Sequence, residues 1–254
     1  MNYMIDTNKL KSQITQEEWQ LRLDLAATYR LIALYGWDDL IYTHVSLRIP
    51  GPEHHFLINP YGLMFDEITA SSLVKIDLNG NSVIDTPYEV NPAGFTIHSA
   101  IHESRDDAHC IVHLHSNDGV AVASLKDGLL PLSQTGMLVR SQIAYHDYEG
   151  VALFEEEKER LVKDLGDARL MILRNHGTLA LGKNVAEAFT NIYFLEKACS
   201  YQVRALSGNL ELNYPSEESI ETTRQQGEGR EMAAALLWPA VKRKMERLDS
   251  SFLN

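Results

Sequence analysis

The stretch Cys110-Ile111-Val112-His113-Leu114-His115 decides how this chain is read. It is a short apolar run closed by two histidines, and it predicts a strand. Side chains on a strand alternate between faces, so His113 and His115 point the same way, with Cα atoms about 7 Å apart. Two imidazole nitrogens at that spacing can converge on one metal ion, and His176, beside Gly177, can complete a facial trio. Three neutral nitrogens with an open position are a donor set that zinc uses to polarise a carbonyl or activate water. Cobalt, nickel, copper and iron compete for such nitrogens. The alternative is a set of core histidines held by hydrogen bonds, and a His-x-His spacing alone does not separate the two. No carboxylate is obviously placed by the sequence to move a proton beside that metal.

Working outward, Thr15-Gln16-Glu17-Glu18 reads as a capping box opening a helix that stops at Gly36, with Trp19, Leu23, Ala27, Leu31 and Leu34 as its buried stripe. Val45, Leu47 and Ile49 alternate with Ser46 and Arg48, as on a half-buried strand. His55 to Asn59 is a second strand, closed by the turn Asn59-Pro60-Tyr61-Gly62, and Asn79-Gly80 marks a hairpin within Leu73 to Ile84. Asn91-Pro92 reads as the cap and first position of a helix. His98 and His102 share a face of that helix as a packed pair or, less simply, a second metal pair. After His115 a helix over 118–125 is expected, then a strand at Ile143 to Tyr145 and a charged helix from Glu155 to Leu165. Two strands, Leu170 to Arg174 and Thr178 to Leu181, hinge at Asn175-His176-Gly177, and a long helix runs from Val185 to Leu206. Recurrent hairpins among interleaved helices predict a mixed sheet covered by helices.

Residues 1–206 form one expected domain, and residues 207–254 an extension. Ser207 to Arg230 is polar, whereas Glu231 to Asp249 is amphipathic and carries Trp238, which needs a surface from its own chain or from a neighbouring subunit. The 254 residues, 44% of them hydrophobic, suffice for a sizeable core. A net charge of −12, from 23 Lys and Arg against 35 Asp and Glu, argues against nucleic acid or an anionic membrane as partner. Two cysteines, Cys110 and Cys199, make no disulfide framework. With no visible signal peptide and no apolar stretch long enough to span a bilayer, a cytoplasmic protein is expected.

The pattern Asn91-Pro92-Ala93-Gly94-Phe95-Thr96-Ile97-His98, then His113-Leu114-His115, then Arg174-Asn175-His176-Gly177 resembles the class II aldolase/adducin superfamily over roughly Trp19 to Leu206. Phe56 to Gly62, Thr69 to Ile76, Gly128 to Pro131 and Ala144 to Gly150 resemble the adducin head more closely. The resemblance implies a three-layer α/β/α sandwich around a mixed, mostly antiparallel sheet. It also implies a divalent metal, zinc first, on His113, His115 and His176, and a homotetramer with that site near a subunit interface.

The departures from the family pattern matter as much. The acidic residue that shuttles the proton in the family's aldolases falls at Gly94, and the serines that hold substrate phosphate fall at Pro92 and Ala93. The Gly-Asn turn of the phosphate site falls at Thr43-His44, and a tyrosine expected after Pro131 has no counterpart in Leu132 to Gly136. His44, Tyr61, Gly62 and Gln134 are the residues the resemblance places near a substrate. The implied activity is that of a lyase or isomerase on a small, non-phosphorylated hydroxy-carbonyl compound. The alternative is a non-catalytic interaction or oligomerisation module like the adducin head.

Overall fold

The computed structural model describes residues 5–150, 155–208, 210–227 and 231–254. The chain opens with α1 (Thr7–Gln13) and α2 (Gln16–Tyr35), followed by β1 (His44–Arg48), β2 (Phe56–Ile58) and β3 (Val74–Ile76). Next come α3 (Pro92–Ser104), β4 (Cys110–Leu114), α4 (Asn117–Ala123), α5 (Gln134–Arg140), β5 (Ile143–His146) and α6 (Glu155–Leu165). The hairpin β6 (Leu170–Leu173) and β7 (Gly177–Gly182) leads into α7 (Val185–Leu206), α8 (Glu217–Gln226) and α9 (Glu231–Leu248). Among the described residues one sheet forms in the order β3-β2-β1-β4-β7-β6-β5. Every neighbouring pair is antiparallel except β5 with β6.

The faces of the sheet follow from strand alternation. Val112, Leu114 and Ala180 pack into the core with α2, α7 and α9, whereas Ile111, Leu179 and Leu181 pack against α3 and α6. Helices on both sides of a mixed, mostly antiparallel sheet are the three layers expected from the resemblance. β4 lies between β1 and β7, so His113 has His44 on one side and Leu179 on the other.

Local expectations mostly hold. Thr15 caps α2 through its hydroxyl, which accepts from the amide of Glu18 at 3.0 Å, and Gly36 ends the helix at φ 68°. The capping box is incomplete, however, because the Glu18 carboxylate turns away to Arg22 at 3.1 Å and Lys75 at 2.8 Å. Two cations, Arg22 almost wholly buried, outcompete one backbone amide for that carboxylate. Leu34 is exposed, and Leu25, Ala26, Tyr29 and Ile32 carry the buried face in its place. β1 is buried on both faces rather than one, with Ser46 fully enclosed beneath α3. The Asn79-Gly80 hairpin shrinks to a single bridge between Ile76 and Ser82.

The polar stretch after Ser207 holds a helix, α8, which lies against α5. Its exposed, charged composition hides any apolar period, so periodicity does not reveal it. Trp238 docks on its own chain, its ring 5.7 Å from that of Phe189 on α7. The chain end is also secured: Arg30 meets Asp249 at 2.7 Å, and Ala70 donates to the carbonyl of Phe252 at 2.9 Å.

The Tyr29 hydroxyl ties α2 to β1 and to the end of β2. It donates toward the Val45 carbonyl at 2.6 Å or the Asn59 side chain at 2.9 Å, and accepts from the Val45 and Asn59 amides at 2.8 and 3.2 Å. Burial pushes its ionisation far above the usual phenol range, so it stays a neutral donor. Tyr29→Phe strands these partners, and urea unfolding should record a loss of about 1–3 kcal/mol. An unchanged midpoint would show that they find other partners.

Candidate metal centre

β4 delivers His113 and the residue just past its end, His115, while the β6–β7 turn delivers His176 from the neighbouring hairpin. That turn closes with the His176 amide on the Leu173 carbonyl at 3.0 Å, and Asn175 takes the left-handed conformation at φ 57°. Gly177 permits the approach: a Cβ there would lie 2.2 Å from the Leu114 carbonyl oxygen and 3.1 Å from the His115 ring. Any side chain would drive the turn away from β4. The three rings thereby meet with centroids 4.7–4.8 Å apart, and their ligand nitrogens all fall within 4.8 Å of one another.

Hydrogen bonds fix which nitrogen faces inward. A carbonyl oxygen only accepts, so His113 donates its Nδ1 proton to Thr178 at 3.0 Å. His115 donates its Nδ1 proton to the Asp39 carboxylate at 3.1 Å. The two Nε2 atoms, whose rings have their Nδ1 protons turned outward, face each other at 3.1 Å. Two nitrogens so placed share either a proton or a metal ion. A tetrahedral zinc with bonds near 2.0–2.1 Å would hold two nitrogens roughly 3.3 Å apart. The residues therefore fit a metal in separation, donor type and outer partners, with a carboxylate and a carbonyl orienting the two rings. Burial first, and then the neighbouring histidines, hold His113 well below the usual imidazole range and push His176 down to about 4. Both are thus neutral near pH 7, the form in which imidazole binds metal.

A file of further histidines runs inward from the trio. The His44 ring is 5.8 Å from His113 and 4.1 Å from His98. His98 Nδ1 and His102 Nε2 both meet the Ser46 hydroxyl, at 2.6 and 2.7 Å, and His102 Nδ1 lies 2.7 Å from the Ala108 carbonyl. Assigning protons from that carbonyl outward gives one consistent set. His102 donates to Ala108, Ser46 donates to His102, and His98 donates to Ser46, leaving His98 Nε2 a buried lone pair with no hydrogen-bond partner among the described residues. His98 and His102 are thus bridged by a hydroxyl and do not form a second metal pair.

Of the other expected contacts, His44 is brought beside the trio, its ring 5.8 Å from that of His113. Tyr61 and Gly62 lie on the exposed turn after β2, and Gln134 is exposed on the first turn of α5. Gly94 lies in the first turn of α3, where side-chain surroundings over 92–96 fall outside the described residues. Sequence reasoning missed two carboxylates. Asp39 sits in the loop after Gly36 with little to mark it. Glu196 is a charged residue within the apolar stripe of α7, between Ile192 and Cys199, and that signal was available. The loop from Asp39 to His44 is strained, with Leu40 at φ 51° and the buried, β-branched Thr43 at φ 64°. A cleft lined by Lys9, Arg22 and Lys75 lies away from the trio, between α1, α2 and β3.

The proton assignment makes stability depend on pH. Burial pushes His102 down to about 3, against the opposing pull of the Ala108 carbonyl. The unfolded ring, with its pKa near 6.5, binds a proton throughout the window in which the folded ring does not. Stability is therefore lost as pH falls, by about 1.4 kcal/mol per pH unit for one such ring. Urea unfolding between about pH 6 and pH 4 should show a slope shallower by about one proton in His102→Gln than in the wild type. Equal slopes would contradict a neutral His102.

The sequence profile of the class II aldolase and adducin N-terminal domain matches residues 23–203. A Caulobacter vibrioides protein with a provisional class 2 aldolase name is 57% identical over 252 residues, covering 98% of each chain. Alpha-adducin of Rattus norvegicus is 49% identical over 191 residues, which are 74% of this chain and 26% of that protein, so the chain spans about a quarter of adducin's length. The solved L-fuculose 1-phosphate aldolase of Glaciozyma antarctica PI12 superposes with a TM-score of 0.83 at 26% identity, covering 100% of this chain and 97% of the other. The chain belongs to the class II aldolase and adducin N-terminal domain family.

Proposed function

We propose that this chain binds one divalent ion, zinc in the first instance, through His113, His115 and His176, and acts as a lyase or isomerase on a small, non-phosphorylated hydroxy-carbonyl compound. The observation that carries the reading is the pair of Nε2 atoms facing each other at 3.1 Å, with both Nδ1 protons committed elsewhere. An ion held there supplies Lewis-acid polarisation of a carbonyl oxygen. Asp39 and the Thr178 carbonyl orient the ligating rings. His44, beside His113, is the group of this chain assigned to contact substrate, and the resemblance adds Tyr61, Gly62 and Gln134. The absence of serines at Pro92 and Ala93 disfavours a phosphorylated substrate.

Residues 1–206 make up the domain in this reading, and residues 207–254 are an extension seated on it through Trp238. A homotetramer is part of the proposal, supported by Leu40 and Tyr42, which stand 60% and 47% exposed in the loop that also supplies Asp39. A cytoplasmic location is supported by two free, buried cysteines. No helix among the described residues is long and apolar enough to cross a membrane. A second reading, a non-catalytic interaction module, is favoured by one observation: Gly94 stands where the family's aldolases carry their acid.

Loss of a general base lowers rates by about 10²–10⁴-fold, so activity should be slow and metal-dependent. A screen of aldol cleavage and epimerisation on non-phosphorylated hydroxy-aldehydes and hydroxy-ketones should find turnover in the zinc-loaded wild type. Metal-stripped protein and His115→Ala should show none. In the same assay Gly94→Glu should raise turnover by at least about tenfold. Silence across the screen from both zinc-loaded proteins would transfer the case to the interaction module.

A further inference from the structure

Glu196 is 1% exposed, on the face of α7 turned toward the sheet. One carboxyl oxygen takes the hydroxyl of Ser116, and the other takes that of Thr178 at 2.5 Å. Ser116 directly follows His115 and caps α4 by accepting the Gly119 amide at 3.0 Å. Thr178 stands two residues beyond His176, and its carbonyl is the acceptor for His113 Nδ1. One carboxyl group thus grips both chain segments that carry the three histidines, from the opposite side of the sheet.

Packing does not require an acid at this position. Ile192, Leu195, Ala198 and Cys199 surround Glu196 along the helix, and an apolar residue would continue their stripe without the cost of enclosing a carboxyl group. Burial pushes its pKa up to about 7, the mark of that cost. The fit is also closed: a Cβ on Gly119 would lie 2.7 Å from the Ser116 hydroxyl and 3.1 Å from Glu196 Oε1. With α4 pressed this close, neither strap can lengthen without moving the segment attached to it.

We propose that Glu196 is a positioning residue for the metal centre, setting the separation between the β4 end that carries His113 and His115 and the turn that carries His176. It touches neither metal nor substrate, and its effect passes through Ser116 and Thr178. The inference rests on the metal reading above.

The test is zinc affinity by competition with a chelator, together with the cobalt absorption spectrum, on the full-length wild type, Glu196→Ala and Glu196→Gln. Glu196→Ala should weaken zinc by about 10–100-fold and alter the cobalt bands. Glu196→Gln keeps the length and one hydroxyl acceptor and should fall between it and the wild type. If Glu196→Ala fails to fold, Thr178→Val and Ser116→Ala each remove one strap and should each weaken zinc by about three- to tenfold. Folded variants with wild-type affinity and wild-type cobalt bands would overturn the inference while leaving the metal site intact. A wild type that binds neither ion would overturn the metal reading itself, and this inference with it.

Discussion

Two imidazole nitrogens facing each other at 3.1 Å, with their rings' protons committed on the far side, are the constraint on which the site depends. Neutral rings do not hold that position for their own sake. Two distant parts of the sequence converge on the β4 end to impose it. Thr178 on β7 fixes His113, Asp39 in the loop after α2 fixes His115, and Gly177 removes the atoms that would separate the hairpin from β4. Each is a local choice that would be unremarkable alone, and together they build a donor set for a cation.

The sheet topology explains why this convergence occurs where it does. β4 is flanked by β1 on one side and by β7 on the other, so His44 and His176 reach His113 from opposite neighbours. The histidine file beyond His44 ends on the Ala108 carbonyl, which orders the protons back through His102, Ser46 and His98. Enclosure keeps the inner rings neutral, so no positive charge accumulates behind the trio to oppose a metal ion. The chain carries Gly94 in the first turn of α3, and its three histidines bring their nitrogens within 4.8 Å of one another. The chain is alike both to a protein with an aldolase name, at 57% identity, and to part of alpha-adducin, at 49%.

Much of this architecture is legible in the residues themselves. The boundaries of α6 and α7 follow from charge patterning and apolar period, and the three histidines follow from strand alternation and the family pattern. The features that are not legible share a physical cause. Asp39, Ser46 and Thr178 act through hydrogen bonds between segments remote in sequence, and no local period encodes such a bond. The incomplete capping box at Thr15 fails for the same reason, since Glu18 is claimed by Lys75, 57 residues away. Helix α8 is hidden differently, because an exposed charged helix leaves no apolar stripe to read. Glu196 is the readable exception, an acid in an apolar helical face.

Whether the trio holds a metal can be read from elemental analysis of the purified full-length chain. About one divalent ion per chain is expected in the wild type, and none in a His113→Ala/His115→Ala variant that keeps its fold. A wild type that carries no metal even after zinc is supplied would contradict the metal reading. The three histidines would then be core residues meeting at the end of a strand.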